Sequence, residues 1–357
     1  MYPRLLCQTK DFEYNAEVLH RKLEEQGMSL VVVTKLLSGN YDLIPSLFRH
    51  VDAIAESRIN NLKHFPYASV KRWLIRIPAL CEIEDVVKYA DLSLNSELVA
   101  LEALNEAAGD HGVIHDVILM VEVGDLREGV EPADVLDTVG KILQMPNLRL
   151  RGLGTNLGCF GSIEPDENNT GVIAELVEKV EQTYQVELDL NSVATSLALP
   201  MSLSGRMPER LTSARIGEAI FRGNVPSIFE AEGLELHTNT CHLEAQIIEL
   251  KEKNAIPTGI SGIMQFRRRD AAEQRRMIRA IVNIGQMDVS IDELTPEAEG
   301  VQILGASSDH MICDVTEYVS DGKTVADLKV GDVLSFSLSY TGLSQAFSSE
   351  HIEKVAI

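Results

Sequence analysis

Short, apolar and β-branched runs alternate with amphipathic segments between residues 28 and 217, and this alternation constrains the fold more than any other feature. Strands that are separated by helices pair in parallel through right-handed crossovers. Eight such runs within about 190 residues predict a closed (β/α)8 barrel of the TIM type, in the α/β class, rather than an open doubly wound sheet. The predicted strands are 28–34, 51–55, 71–77, 90–94, 113–121, 148–155, 186–193 and 212–216.

Amphipathic periodicity predicts a helix after most of these strands. The clearest helix carries apolar residues at the i, i+3, i+4 spacing of one buried face. These are Val172, Ile173, Leu176, Val177 and Val180. The other helical segments are predicted at 42–50, from residue 57 onward, and at 82–89, 96–107 and 132–143. The helical pattern after the eighth strand is the weakest.

The hydrophobic pattern changes after about residue 230, where strand-like runs follow one another with turns between them and little helical periodicity. These runs are 242–250, 277–284, 302–304, 311–315 and 333–338. Asp321-Gly322 and Gly331-Asp332 are typical turn pairs. We therefore predict a barrel domain over 1–230, whose first strand at 2–9 packs with the second domain, and a mostly β domain over 231–357. The basic run 267–270, with Arg275, Arg276 and Arg279, is interpreted as a solvated loop or subunit contact.

Composition and charge limit the function classes. The 357 residues are 45% hydrophobic and carry a net charge of −22, so we expect a folded protein that does not bind nucleic acid. The longest apolar runs are strand-sized, and no secretory signal is visible over 1–10, so no membrane partner is expected. Five cysteines occur singly, which argues against disulfides and metal sites and favours the cytoplasm. Cys159 and Cys313 are interpreted as small buried hydrophobes.

Lys35 is the first candidate for chemistry, because active sites of TIM-type barrels lie at the carboxyl ends of strands. It directly follows the apolar run 30–33. Burial there would favour the neutral, nucleophilic amine that forms imines. On position alone, a solvated lysine at the barrel rim is the simpler interpretation.

Three further groups of polar residues follow later strands. Arg127, within 124–129, can bind a carboxylate through its planar fork, although a surface pair with Glu128 is equally common. The stretch 152–161 contains four glycines in ten residues, which lets the backbone approach a ligand closely. Thr195-Ser196 and Arg215-Ile216-Gly217 follow the seventh and eighth strands, where phosphate sites recur in this barrel.

The chain combines a lysine, a phosphate site and two arginines around one barrel. In this it resembles the alanine racemase superfamily, and within it the ornithine racemase-like branch, over essentially its whole length. The passages that carry the resemblance are VTK at 33–35, GDLREG at 124–129, GTNL at 154–157, RIGEA at 215–219 and LGASSDHM at 304–311. The resemblance implies a pyridoxal 5'-phosphate enzyme. It also implies a homodimer, in which the barrel of one subunit is closed by the β domain of the other.

The resemblance implies roles around the cofactor. Lys35 matches the lysine that binds pyridoxal phosphate covalently, and Arg215 matches the arginine facing the pyridine nitrogen. Because a guanidinium keeps its proton, that nitrogen is expected to stay unprotonated, which favours racemisation over transamination. Asn156 stands where alanine racemases have a histidine packed on the cofactor ring. The phosphate-binding positions are matched by Thr195, Ser196 and Gly217.

The second acid/base departs from the family. Alanine racemases use a tyrosine of the neighbouring subunit, and Ile260 occupies that position here. A nearby match places His310, with Asp309, in the second-domain loop that the resemblance directs toward the partner's active site, and histidine can exchange protons near neutral pH. A purely structural loop pair remains the alternative, and Tyr340 and His351 are further candidates.

The leading interpretation is a racemase for a basic amino acid such as ornithine. Arg127 matches the arginine near the substrate carboxylate, and Asp125, Glu128 or Asp309 are candidate partners for a distal ammonium. Alanine or broad-specificity racemisation comes next, followed by aldol cleavage of a β-hydroxy amino acid. A non-catalytic carrier of pyridoxal phosphate and a sugar-phosphate enzyme on a plain barrel are the alternatives from other classes.

Overall fold

The computed structural model describes residues 1–66, 69–223, 234–255 and 276–357. The chain divides into two compact units. One unit spans Lys10–Thr238, and the other combines Met1–Thr9 with Asn239–Ile357. Strands and helices are numbered along the chain, so that β1 (Arg4–Cys7) belongs to the second unit.

The first unit is a closed barrel of eight parallel strands, which confirms the predicted (β/α)8 fold. Its strands are β2 (Ser29–Val33), β3 (Ala53–Glu56), β4 (Lys71–Leu74), β5 (Leu92–Asn95), β6 (His115–Met120), β7 (Leu148–Gly154), β8 (Ser192–Ala194) and β9 (Ser213–Ile216). The helices within the described ranges are α1 (Thr9–Glu24), α2 (Ile59–Lys63), α3 (Ile83–Tyr89), α4 (Leu98–Asp110), α5 (Val135–Ile142), α6 (Glu167–Tyr184), α7 (Leu199–Leu203) and α8 (Glu218–Phe221).

Alternate residues of the barrel strands fill its interior with apolar side chains, as the period of two along a strand requires. Their core cluster comprises Val31, Val33, Ala53, Ala55, Trp73, Leu92, Leu94, Ile118 and Met120. Strand β9 closes the barrel against β2, with Val32 opposite Ile216, and β8 lies on the other side of β9. The residues that follow β8, β9 and β2 therefore lie side by side at one edge of the barrel.

Several barrel segments differ from the sequence prediction. Helix α1 was not predicted, and the predicted strand 71–77 ends at Leu74. The predicted helical segment 42–50 forms two 3-10 turns, Tyr41–Leu43 and Pro45–Arg49, because proline disfavours helical backbone at the residue before it. Strand β8, the seventh strand of the barrel, covers Ser192–Ala194 and is shorter than the predicted 186–193. The Asn191 amide donates to two backbone carbonyls at 3.0 Å and thereby replaces ladder hydrogen bonds before Ser192.

The second unit is an antiparallel sheet with the order β12-β17-β10-β11-β14-β13, and β1 pairs with both β10 and β18. Its elements beyond β1 are β10 (Cys241–Asn254), β11 (Arg276–Val282), β12 (Leu294–Pro296), β13 (Gln302–Ala306), β14 (Met311–Asp314), β15 (Val319–Ser320), β16 (Lys323–Thr324), β17 (Val333–Leu338), α9 (Tyr340–Ser348) and β18 (Glu353–Ala356). This sheet confirms the predicted C-terminal, mostly β fold.

Three further sequence interpretations are wrong, two in this unit and one in the first. Helix α9 was not predicted, because Gly342 and several serines mask the apolar spacing of Leu343, Ala346 and Phe347. Arg276 and Arg279 lie in β11 rather than in a loop. Cys159, in the first unit, is exposed, whereas Cys313 is buried as expected. Ile260, Arg275 and the run 267–270 lie outside the described residues. No helix of the described chain has the length and apolar character needed to span a membrane.

Candidate active site

Lys35 begins a single 3-10 turn, Lys35–Leu37, directly after β2. The turn is fixed to β3 because the N–H and hydroxyl groups of Thr34 donate to the Ala55 carbonyl at 2.8 and 3.3 Å. Thr34 is fully buried, whereas the Lys35 side chain is exposed, which agrees with the solvated lysine at the barrel rim and not with a desolvated amine. Within the described parts of the chain, the amine has no hydrogen bond or ion pair. Lys35 is therefore an accessible amine on a rigid base.

Arg215 is held immobile in β9 by the strands beside it. Its Nη1 donates to the carbonyl of Ser192 at 2.9 Å and to the Ser192 hydroxyl at 2.6 Å, and its Nη2 donates to the Thr155 carbonyl at 2.8 Å. Burial lowers the pKa of Arg215 to about 10, so the guanidinium still carries its charge at neutral pH. Sequence analysis did not identify Ser192 and Thr155 as partners of Arg215, because two of these three hydrogen bonds go to backbone carbonyls, which side-chain patterns do not report.

Thr195, Ser196 and Gly217 form what we call the phosphate cradle. The Thr195 hydroxyl is buried and has no hydrogen-bond partner among the described residues, while the Ser196 hydroxyl accepts from the N–H of Ala219 at 3.3 Å. A Cβ on Gly217 would lie 2.8 Å from the Val33 carbonyl oxygen, so only glycine fits there without a shift. A buried hydroxyl without a partner suits a phosphate oxygen, so these residues fit the group that the resemblance implies.

Arg127, Glu128 and Asn156 lie together beside Arg215. Nε and Nη2 of Arg127 both donate to the Glu128 carboxylate. This bond raises the pKa of Arg127, and the charge of Glu128 also acts on Arg215. In the amide orientation that satisfies both groups, the Asn156 oxygen lies 2.6 to 3.1 Å from the guanidinium nitrogens of Arg127. Four of the residues singled out from the sequence thus form one polar cluster.

Asp125 is in the same loop but has a different environment. It is 1% exposed, and its carboxylate accepts hydrogen bonds from the N–H groups of Cys159, Phe160 and Gly161 at 3.3, 3.0 and 3.1 Å. The carboxylate is therefore saturated by backbone donors and fixes the loop 158–161. We propose this anchoring role for Asp125 in place of contact with a substrate ammonium.

His310 and Asp309 lie in the loop between β13 and β14 of the second unit. Nδ1 of His310 is 2.8 Å from Oδ1 of Asp309, and the imidazole is about half exposed. This contact holds the pKa of Asp309 below its ordinary value, so that its carboxylate stays charged. The loop is fixed in turn, because the N–H of Gln286 donates to the Ser307 carbonyl at 2.9 Å. An imidazole paired with a carboxylate can act as a general acid or base.

Glu56, at the end of β3, is a site feature that the sequence analysis missed. It is fully buried, and its Oε1 accepts from the N–H groups of Ser57 and Arg58 at 2.7 and 3.2 Å. Burial raises the pKa of Glu56 and, together with the charge of Glu56, that of Tyr41. Tyr41 and Glu56 form a buried pair. Tyr41 also lies close to the side chain of Thr34, the residue directly before Lys35.

Comparison with known proteins gives consistent results at the level of sequence. Residues 8–225 match the family model described as alanine racemase, N-terminal domain. The chain is 38% identical to an ornithine racemase of Acetoanaerobium sticklandii over 357 residues, which covers 99% of both chains. It is 33% identical to a lysine racemase of Thermotoga maritima over 362 residues, covering 99% of this chain and 98% of that one.

Solved structures show the same fold at lower identity. An alanine racemase of Clostridium difficile 630 superposes with a TM-score of 0.77 at 16% identity, covering 100% of this chain and 96% of that chain. A D-threonine aldolase of Filomicrobium marinum gives a TM-score of 0.70 at 14% identity, covering 97% and 88%. Proteins named for different activities thus share this fold, so the fold alone does not identify the reaction.

Proposed function

The chain belongs to the alanine racemase family, and from this premise we propose that it racemises a basic amino acid, ornithine or lysine, with pyridoxal phosphate as its cofactor. The observation that carries the proposal is the meeting of three features at one barrel edge. These are the accessible amine of Lys35, the phosphate cradle with its buried Thr195 hydroxyl, and the fixed guanidinium of Arg215. The full-length similarity to an ornithine racemase and a lysine racemase supports the substrate class.

The chain's own residues account for cofactor binding. Thr195, Ser196 and Gly217 would hold the phosphate, and Lys35 would bind the aldehyde carbon through Nζ. Arg215 would face the ring nitrogen as a donor, because its guanidinium has no acceptor atom. When bound, pyridoxal phosphate supplies an electron-accepting ring that stabilises negative charge at the substrate Cα.

Racemisation requires proton transfer on both faces of Cα. Lys35 is proposed to remove or return the proton on one face through Nζ, while Arg127 binds the substrate carboxylate. His310, supported by Asp309, is proposed to serve the opposite face, because Nε2 remains available when Nδ1 contacts a carboxylate. We further propose a homodimer that acts in the cytoplasm, as the resemblance and the single cysteines indicated.

Lys35 is tested by substitution. Lys35→Ala is expected to abolish the near-visible absorbance of bound pyridoxal phosphate and to lower racemisation by roughly 10³-fold or more, because the chain loses both its covalent attachment and one base. Borohydride reduction of the native protein followed by peptide mapping should locate the label on residue 35. Lys179→Ala, at an exposed lysine of α6, is the control. A Lys35→Ala protein with full activity would exclude this function.

His310 is tested by the asymmetry of hydrogen exchange. His310→Ala is expected to retain pyridoxal phosphate but to lose racemisation by about 10²-fold, because one face of Cα lacks its acid/base. Exchange of the Cα hydrogen in deuterium oxide should persist for the enantiomer whose hydrogen faces Lys35. His111→Ala provides a matched control, since His111 also contacts a carboxylate, Glu84, at 2.9 Å. Native exchange from both enantiomers would assign His310 a structural role.

A further inference from the structure

The acidic side chains in the loops after the barrel strands differ in which groups bind their carboxylates. Asp125 is saturated by three backbone N–H groups, and Glu218 pairs with Arg222 at the end of its own short helix. Glu128 is bound instead to Arg127, the arginine that the proposed function assigns to the substrate carboxylate. Binding of a substrate carboxylate to Arg127 would therefore break the ion pair of Glu128.

The ion pair between Arg127 and Glu128 has the geometry of a substrate complex. Nε and Nη2 form the edge of a guanidinium that binds a carboxylate with two parallel hydrogen bonds, and Glu128 occupies that edge. The Asn156 amide lies against the same guanidinium. A substrate carboxylate can therefore reach this edge only by replacing Glu128.

A displaced Glu128 would find few partners in its own surroundings. Its side chain is only 14% exposed, so water would replace the lost bonds incompletely. The nearby Arg215 is buried, and its Nη1 and Nη2 already donate to Ser192 and Thr155. A cation supplied by the substrate would therefore compensate the charge of Glu128 when Arg127 is engaged.

We propose that the substrate opens this ion pair and is held between its two halves, with the α-carboxylate on Arg127 and the distal ammonium on Glu128. The proposal rests on the proposed function and makes Glu128 the residue that selects basic amino acids. A basic substrate exchanges one internal ion pair for two intermolecular ones. A neutral amino acid leaves a largely desolvated carboxylate without a cation, which is unfavourable.

Binding of unreactive probes tests the proposal without the cofactor's chemistry. 5-Aminopentanoate carries a carboxylate and a distal ammonium but no α-amine, and pentanoate lacks the ammonium. Calorimetry should show that the native protein binds 5-aminopentanoate about tenfold more tightly than pentanoate, and that Glu128→Gln removes this difference. Glu131→Gln, at an exposed glutamate three residues away, is the control and should retain it. Equal binding of both probes by the native protein, or a preference that survives Glu128→Gln, would overturn the proposal.

Kinetics separate selection from simple orientation of Arg127. Norvaline has the carbon skeleton and the α-amino group of ornithine but lacks its distal ammonium. In Glu128→Gln, the ratio of kcat/KM for ornithine to that for norvaline should fall by roughly 10- to 100-fold, whereas Glu131→Gln should keep the native ratio. An equal loss for both substrates would show that Glu128 only orients Arg127, and would overturn the proposal. If the native protein exchanges no Cα hydrogen from any amino acid, the proposed function fails, and the calorimetric preference still decides the role of Glu128.

Discussion

His115 shows how burial alone sets the charge state of a single residue. It opens β6, is 2% exposed and contacts the Ser93 hydroxyl at 2.9 Å. Burial lowers the pKa of His115 to about 4, against the opposing effects of Asp116 and Asp91. The imidazole is therefore neutral at pH 7 in the folded protein. In the unfolded chain it titrates near its ordinary pKa of about 6.5.

The sign of the resulting pH dependence follows from proton uptake. Between about pH 6.5 and pH 4 the unfolded chain binds the proton and the folded protein does not, so acidification favours unfolding. We expect His115 to account for a loss on the order of 3 kcal/mol across this window and for none above it. Urea unfolding at pH 7, 6, 5 and 4 measures the loss, and His115→Gln should reduce it. Parallel pH profiles for the native protein and the variant would contradict the prediction.

At the residue scale, the sequence indicated candidate polar groups but not their surroundings. Lys35, Arg127, Arg215 and Asn156 were singled out because motifs and strand ends mark them. The three backbone N–H groups that converge on Asp125 could not be predicted, since they depend on the backbone positions of a neighbouring loop. Periodicity reports which face of a strand is buried, not which donors converge on one carboxylate.

At the scale of elements, the contact between β9 and β2 controls the barrel edge that carries Lys35. Gly217→Ala would place a Cβ 2.8 Å from the Val33 carbonyl oxygen, so one of the two strands must shift at its carboxyl end. We expect a cost of about 1–3 kcal/mol in the free energy of unfolding and weaker binding of pyridoxal phosphate. Denaturant unfolding and titration of cofactor absorbance measure the two effects.

A second glycine provides the control for this prediction. A Cβ on Gly171, within α6, would meet no atom within 4 Å. Gly171→Ala is expected to stabilise the protein by about 0.5–1 kcal/mol, because alanine restricts the unfolded chain and favours a helix. It should leave cofactor binding unchanged. If both variants bind the cofactor like the native protein, the contact with Val33 does not position the site.

The order of elements was more predictable than their local form. All eight barrel strands lie within or beside their predicted ranges, because β-branched runs alternate with helical periods. Segment 42–50 was misassigned, since apolar spacing does not report the effect of Pro45 on Ile44. Helix α9 was missed, although the Ser339 hydroxyl accepts from the Gly342 N–H at 3.1 Å, as an N-cap does. Side-chain capping carried the information that the apolar pattern lacked.

At the scale of the whole molecule, the two units are not consecutive segments of the chain. Strand β1 pairs antiparallel with β10 and parallel with β18, so the N-terminal residues complete the sheet of the C-terminal unit. Composition predicted a change of architecture near residue 230. We expected the strand at 2–9 to pack with the second domain, but the sequence did not identify which strands it pairs with, because pairing depends on register between segments more than 200 residues apart.

The proposed homodimer makes a prediction about the assembly that separates shared from self-contained sites. If each active site combines Lys35 of one subunit with His310 of its partner, Lys35→Ala and His310→Ala proteins should each have little activity alone. When the two are dissociated, mixed in equal amounts and reassociated, half of the dimers are mixed, and each mixed dimer contains one intact site. Racemisation should therefore return to about a quarter of the native value, and sedimentation should show that the active species is a dimer. Self-contained sites would give no recovery on mixing, and a fully active monomer would exclude the dimer as the functional unit.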